Sequence, residues 1–192
     1  MLRHMSRDRY LSDAELAAFM AAVRERRHVH QPRDYALFAL LANTGIRPSE
    51  ALALTRGDCH LGGKLPWIRL KRIGKKHTPQ PTNELVINRA VADVLRRYVK
   101  ESSGDPVDRV FGFTRRQSER LFHYYRRKAG INEPHKIYCL RHSAGMRLVR
   151  FVKDLRIVQA IMGHSGLRAT MVYAHVSPER LQAAYEAAGT AG

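Results

Sequence analysis

Met162-Gly163-His164-Ser165-Gly166-Leu167-Arg168-Ala169-Thr170-Met171-Val172-Tyr173 ends on a tyrosine nine residues beyond a histidine that itself follows a helix-ending glycine. Upstream lie Leu140-Arg141-His142 and Thr44-Gly45-Ile46-Arg47-Pro48-Ser49-Glu50. Two arginines, a histidine and a tyrosine, spread through a strongly basic chain, suit a phosphodiester held by guanidinium groups and attacked by a phenol.

The composition agrees with a polyanionic partner. Of 192 residues, 34 are Lys or Arg and 17 are Asp or Glu, a formal charge of +17. Charge of that size costs self-repulsion unless something neutralises it, so nucleic acid is expected. No apolar run long enough to span a bilayer, signal peptide or lipidation motif is found, which disfavours a membrane and gives a cytoplasmic, nucleoid-associated protein as the expectation. Cys59 and Cys139 are the two cysteines. They imply neither a disulfide framework nor a cysteine zinc site.

Outside the quoted stretch the chain reads as mainly helical. Ser12 can cap a helix while Glu15 reaches back to it, and Leu16, Phe19, Met20 and Val23 follow at helical spacing. A second helix is expected from about Pro32 to Asn43, stopped by Gly45, and Pro48 suits the first turn of a third. Between Cys59 and Asn88 the glycines and prolines cut the pattern into short segments. Trp67–Arg72 and Glu84–Ile87 read there as two strands around a turn at Ile73-Gly74-Lys75. Further helices are expected at about 89–101, 115–128, 139–152, 154–162, 166–173 and 178–188. The fold class is therefore mainly α with a small antiparallel β-sheet (α+β), in one domain.

Two stretches concentrate positive charge. Lys64 to His77 carries six Lys or Arg and no acid, with Arg69, Arg72, Lys75 and Lys76 as candidate DNA contacts. Thr114 to Lys128 carries Arg115, Arg116 and Arg120, then Arg126, Arg127 and Lys128, against Glu119 alone. Phe122, Tyr124 and Tyr125 interleave with these arginines, which suits either phosphate contacts beside a packed face or a recognition helix.

The three motifs, taken in order and spacing over roughly residues 10 to 176, resemble the catalytic domain of the tyrosine recombinases, also called phage integrases. The resemblance implies a DNA breaking and rejoining enzyme that needs no high-energy cofactor and no metal. Tyr173 would be the nucleophile, forming a 3′-phosphotyrosyl link and freeing a 5′-hydroxyl. Arg47 and Arg141 would clamp the non-bridging oxygens, a task for which a planar guanidinium fork is better suited than an ammonium. His164 would donate to the scissile phosphate or help manage the tyrosine proton. Lys71 would be the general acid toward the 5′-oxygen, since the family places this lysine on a strand with a proline eight residues on, and Pro79 fits that count. Lys75 and Lys76 compete for the role.

One position departs from the family pattern. Where a histidine usually stands three residues before the second arginine, Tyr138 stands here, and His135 lies three further back. Tyrosine can donate one hydrogen bond to phosphate but cannot carry an imidazolium's charge. Tyr138 is therefore kept among the catalytic candidates. Residues 1–11 read as a basic lead-in and 12–192 as a single catalytic domain without the N-terminal helical domain that many relatives carry, so the chain is either a naturally short member or a fragment. Double-stranded DNA with paired recombination sites and a homotetramer on that DNA are the implied partners. A helix over 177–188 would dock on a neighbouring protomer or on its own. The competing functions are a catalytically idle DNA-binding regulator on the same scaffold and a type IB topoisomerase-like enzyme.

Overall fold

The computed structural model describes residues 10–71, 83–152 and 154–163. Helix α1 (Asp13–Glu25) starts at a reciprocal cap: Ser12 Oγ accepts from the Glu15 N–H at 3.2 Å, and Glu15 Oε2 accepts from the Ser12 N–H at 2.7 Å. Its face of Leu16, Phe19 and Val23 is buried. Helix α2 (Gln31–Thr44) is buried continuously from Ala36 to Ala42, as befits a helix that is apolar all round. It occupies the centre of the molecule, packed against α1, α4 (Arg89–Glu101) and α6 (Cys139–Phe151).

An aromatic cluster locks α1 and α2 to α5 (Arg115–Lys128). Phe19 lies 5.0 Å edge-on from Phe38, with Phe122 and Tyr125 completing the group at 5.2 to 6.4 Å. The Tyr125 hydroxyl donates to Oδ2 of buried Asp34 at 2.8 Å, and Arg33 donates to the other carboxylate oxygen at 3.3 Å. The buried charge thus keeps hydrogen-bond donors, without which its desolvation would cost several kcal/mol. The same arrangement gives α5 two different faces. Phe122 and Tyr125 face the core, while Arg115, Arg116 and Arg120 are exposed.

After the short α3 (Pro48–Ala53) comes a 3-10 turn, Arg56–Asp58, and an antiparallel sheet in the order β1 (Cys59–His60), β2 (Trp67–Leu70), β3 (Asn83–Val86). Ile68, Leu70 and Leu85 enter the core, while Arg69 stands opposite Glu84 in the register and lies over the Trp67 ring at 5.4 Å. Helix α7 (Leu155–Met162) is capped by Asp154 and stopped by Gly163 in the left-handed conformation, φ 60°.

The molecule is thus mainly helical with a small antiparallel sheet, and α4 and α5 occupy the expected residues. Two expectations need correcting. The sheet has a third strand, β1, too short at two residues to show any alternation. Strand β2 stops at Leu70, where a strand was expected to run through Arg72, so Lys71 follows the strand instead of lying on it. Helices expected over 166–173 and 178–188 lie outside the described residues. Among the described residues, no helix is long and apolar enough to cross a membrane.

Candidate active site

Arg141 joins the three sequence motifs. It projects from the first turn of α6, is 2% exposed, and donates through Nη1 to the Gly45 carbonyl at 2.5 Å and through Nη2 to the Met162 carbonyl at 2.8 Å. Those carbonyls terminate α2 and α7, where backbone oxygens have lost their helical partners and a cation is favoured by the helix dipole. The approach is close enough to demand glycine. A Cβ at Gly45, whose φ is 66°, would lie 2.6 Å from Met162 Sδ and 3.1 Å from Ala144 Cβ. The Thr-Gly-Ile-Arg turn, the Leu-Arg-His helix and the Met-Gly end of α7 therefore meet at one point.

Arg47 lies two residues beyond that glycine, immediately before α3. Its Nη1 donates to Glu50 Oε1 at 2.7 Å, while Glu50 Oε2 accepts from the Arg47 backbone N–H at 2.7 Å. One buried carboxylate thereby fixes both ends of the arginine, whose side chain stays 39% exposed. Glu50 orients a guanidinium that solvent can reach. Tyr138 precedes α6, is 41% exposed, and meets the His142 ring edge-on at 5.0 Å. His135, three residues earlier, is buried at 2%.

Lys71 sits at the end of β2 with its side chain 60% exposed and Nζ 3.5 Å from Asp58 Oδ2. Asp58 is a neighbour of Lys71 that the three motifs do not include. Its Oδ2 also accepts from Thr55 Oγ1 at 2.7 Å and from the Thr55 N–H at 3.0 Å. Burial pushes the Asp58 carboxyl up, but the Thr55 hydrogen bonds and the Lys71 charge outweigh it and hold the group below its ordinary value of 3.8. A signal existed in the sequence: Thr55-Arg56-Gly57-Asp58 has the spacing of a reciprocal cap. The carbonyl acceptors of Arg141 left none, because backbone oxygens carry no residue identity.

Arg115, Arg116 and Arg120 form an exposed cationic face on α5, and Arg69 lies half-buried on the sheet. Arg126, on the same helix, turns inward and donates to the Ile131 carbonyl at 3.1 Å and to the Glu133 carbonyl. It therefore serves the loop before α6 and drops out of the cationic face. Arg72, Lys75, Lys76, His164 and Tyr173 lie outside the described residues.

Comparison with known proteins adds three kinds of likeness. The profile described as the phage integrase family matches residues 9–180. Tyrosine recombinase XerD of Lacticaseibacillus casei is 31% identical over 179 residues, covering 91% of this chain and 61% of the relative. Tyrosine recombinase XerC of Corynebacterium efficiens is 30% identical, covering 94% of this chain and 58% of the relative. The chain thus spans about three-fifths of the length of these relatives. Among solved structures, XerA recombinase superposes with a TM-score of 0.73 at 25% identity, covering 96% of this chain and 64% of that one. The catalytic domain of bacteriophage HP1 integrase has the same fold, with a TM-score of 0.65 at 20% identity and coverage of 92% and 93%. XerH bound to its difH substrate superposes at 0.71 with 24% identity, covering 96% of this chain and 55% of that one.

Proposed function

The chain belongs to the phage integrase family, and from that premise we propose that it is a site-specific recombinase that cleaves and rejoins double-stranded DNA. One observation carries the reading: Arg141 ties the Arg47-bearing turn to the end of α7, after which the chain continues directly to His164 and Tyr173. A structural arginine alone would not need Arg47, held by Glu50 and reachable from solvent, two residues from its anchor point.

In the proposed reaction the Tyr173 phenolate attacks the scissile phosphorus. A phosphorus–oxygen bond forms to the tyrosine as the bond to the 5′-oxygen breaks, and Lys71 gives that oxygen its proton. Arg47 and Arg141 neutralise the non-bridging oxygens in the pentavalent state, assisted by a hydrogen bond from His164 and one from Tyr138. The ester energy is retained in the 3′-phosphotyrosine, so reversal by the 5′-hydroxyl of a partner strand rejoins the DNA without a cofactor. Residues 12–192 form the catalytic domain in this reading. Arg69, Arg72, Lys75 and Lys76, together with Arg115, Arg116 and Arg120 on α5, supply phosphate contacts. Paired sites, a homotetramer and action at the nucleoid complete the proposal.

The test is suicide-substrate trapping. A nicked duplex built from inverted repeats at the source locus should leave an SDS-resistant protein–DNA adduct, and Tyr173→Phe should bind that duplex with nearly unchanged affinity but leave no adduct. An adduct with Tyr173→Phe would move the nucleophile elsewhere. Binding without any adduct from the unaltered chain would favour a DNA-binding regulator, the reading for which the tyrosine at position 138 speaks.

A further inference from the structure

The loop between α5 and α6 carries a feature that DNA cleavage does not use. His135 is 2% exposed, yet neither ring nitrogen has a hydrogen-bond partner. A buried imidazole with both nitrogens unmatched costs on the order of 1 to 3 kcal/mol per group and calls for a ligand. Two carboxylates supply the rest of a coordination set. One ring nitrogen of His135 and one oxygen each from Glu15 and Glu133 lie within 4.8 Å of one another.

The surroundings favour a cation here. Glu15 and Glu133 line an open surface groove of about 370 Å³, walled by Ala14, Ala18, Gly130 and Ile131. Two carboxylates converge there on one imidazole, and the nearby Arg126 guanidinium is taken up by the Ile131 and Glu133 backbone carbonyls. Glu15 already accepts from Ser12 through Oε2. A carboxylate offers about four lone-pair positions, so capping α1 and binding an ion are compatible.

We propose that Glu15, Glu133 and His135 bind a divalent cation of borderline softness, Zn²⁺ being the best match to one imidazole and two carboxylates with a fourth position open to water. The ion replaces the missing partner of one His135 nitrogen and cross-links the first turn of α1 to the loop that leads into α6. Because Tyr138 and Arg141 follow His135 by three and six residues, the cross-link steadies the entry to the candidate site while the ion itself takes no part in cleavage. The sequence offers no metal spacing, since Glu15 is remote from the other two residues and only the packing of α1 against α5 brings them together.

The experiment is a ZnCl₂ titration of the EDTA-treated chain by calorimetry, with thermal unfolding measured in parallel. It is run in a His28→Ala/His30→Ala background, because those exposed histidines lie with ring centroids 5.1 Å apart and could bind zinc themselves. Saturable binding of one ion per chain and a raised unfolding temperature are expected, whereas MgCl₂ at the same concentration should do neither. Glu133→Gln, on an exposed side chain that the fold does not need, should weaken zinc binding at least about tenfold. His135→Gln should do the same, and Co²⁺ should give a visible ligand-field absorption that both variants lose. Unchanged zinc affinity in Glu133→Gln would overturn the proposal. Absence of saturable binding in the histidine-pair background would also overturn it.

Discussion

Arg141 is 2% exposed and donates to two backbone carbonyls, whereas Lys71 has a side chain 60% exposed and meets one carboxylate at 3.5 Å. The first cation is placed by the ends of two helices, so moving it would break its bonds to the Gly45 and Met162 carbonyls. The second is placed by a single contact from an exposed ammonium to a buried carboxylate, which leaves the lysine stem largely in solvent. A group that stabilises charge on a fixed phosphate benefits from being held before substrate arrives. A group that must follow a departing oxygen benefits from a stem that can move. Arg47 stands between the two cases, held by Glu50 yet partly open to solvent.

The contrast makes its largest prediction at Arg141. Arg141→Ala should lower cleavage by at least about 100-fold, the scale of one lost oxyanion donor. It should also destabilise the fold, because the Gly45 and Met162 carbonyls lose a charged donor at about 1–3 kcal/mol each. Arg47→Ala should lose comparable activity with a stability change of no more than about 1 kcal/mol, since its ion pair is partly exposed. Suicide-substrate trapping and urea unfolding measure the two quantities separately. Equal urea midpoints for Arg141→Ala and the unaltered chain would break the contrast at its stronger end.

At Lys71 the expected effect is large on chemistry and small on stability. Lys71→Ala should cleave ordinary DNA very slowly, while a 5′-bridging phosphorothioate should restore much of the rate, because a thiolate leaves without a proton. Unfolding should stay within about 0.5 kcal/mol of the unaltered chain. Arg47→Ala and Arg141→Ala should not be rescued comparably by sulfur, since they are assigned to the non-bridging oxygens. Rescue of Lys75→Ala or Lys76→Ala in place of Lys71→Ala would shift the acid past the end of β2.

Much of this division was legible before any coordinates. The Ser12–Glu15 cap, Gly45 as a helix stop and Pro48 as a helix start are local rules that need only neighbouring residues, and each stands as read. Arg141 and Arg47 were legible as a pair of cations in motifs, but not as one buried and one exposed. That difference depends on carbonyls 96 and 21 positions away from Arg141. Strand β1 escaped notice because two residues carry no period, and the end of β2 at Leu70 escaped it because Lys71 and Arg72 continue the basic run without a break. The aromatics of α5 interleave with its arginines in sequence, and only burial separates Phe122 and Tyr125, in the core, from Arg115, Arg116 and Arg120, at the surface.

Tyr138 sharpens the comparison from the exposed side, with a smaller expected effect. Its ring is 41% exposed and rests against His142, so the hydroxyl can reach a phosphate without disturbing α6. Tyr138→Phe should lower cleavage by roughly 10-fold, less than the full loss of an oxyanion donor because a neutral phenol contributes less than a charged group. Tyr138→His should keep or raise the rate. Equal cleavage rates for all three side chains would reduce position 138 to packing.

The smallest effect is expected at Asp58, where the weaker end of the comparison can be tested by pH. Asp58 is held below its ordinary carboxyl value because the Thr55 hydrogen bonds and the Lys71 charge together exceed the upward push of burial. A carboxyl with a depressed folded value stabilises the fold above its unfolded value, and that stabilisation is lost as pH falls through the folded value. Asp58→Asn should therefore cost about 1 kcal/mol at neutral pH. The gap from the unaltered chain should close as pH drops from about 5 toward 2, as followed by urea midpoints across that range. Cleavage at neutral pH should change less than in Lys71→Ala, since the lysine remains and loses only its resting partner. If the stability gap stays constant into the acid range, Asp58 acts through its neutral hydrogen bonds with Thr55 alone, and its charge plays no part in parking Lys71 at the end of β2.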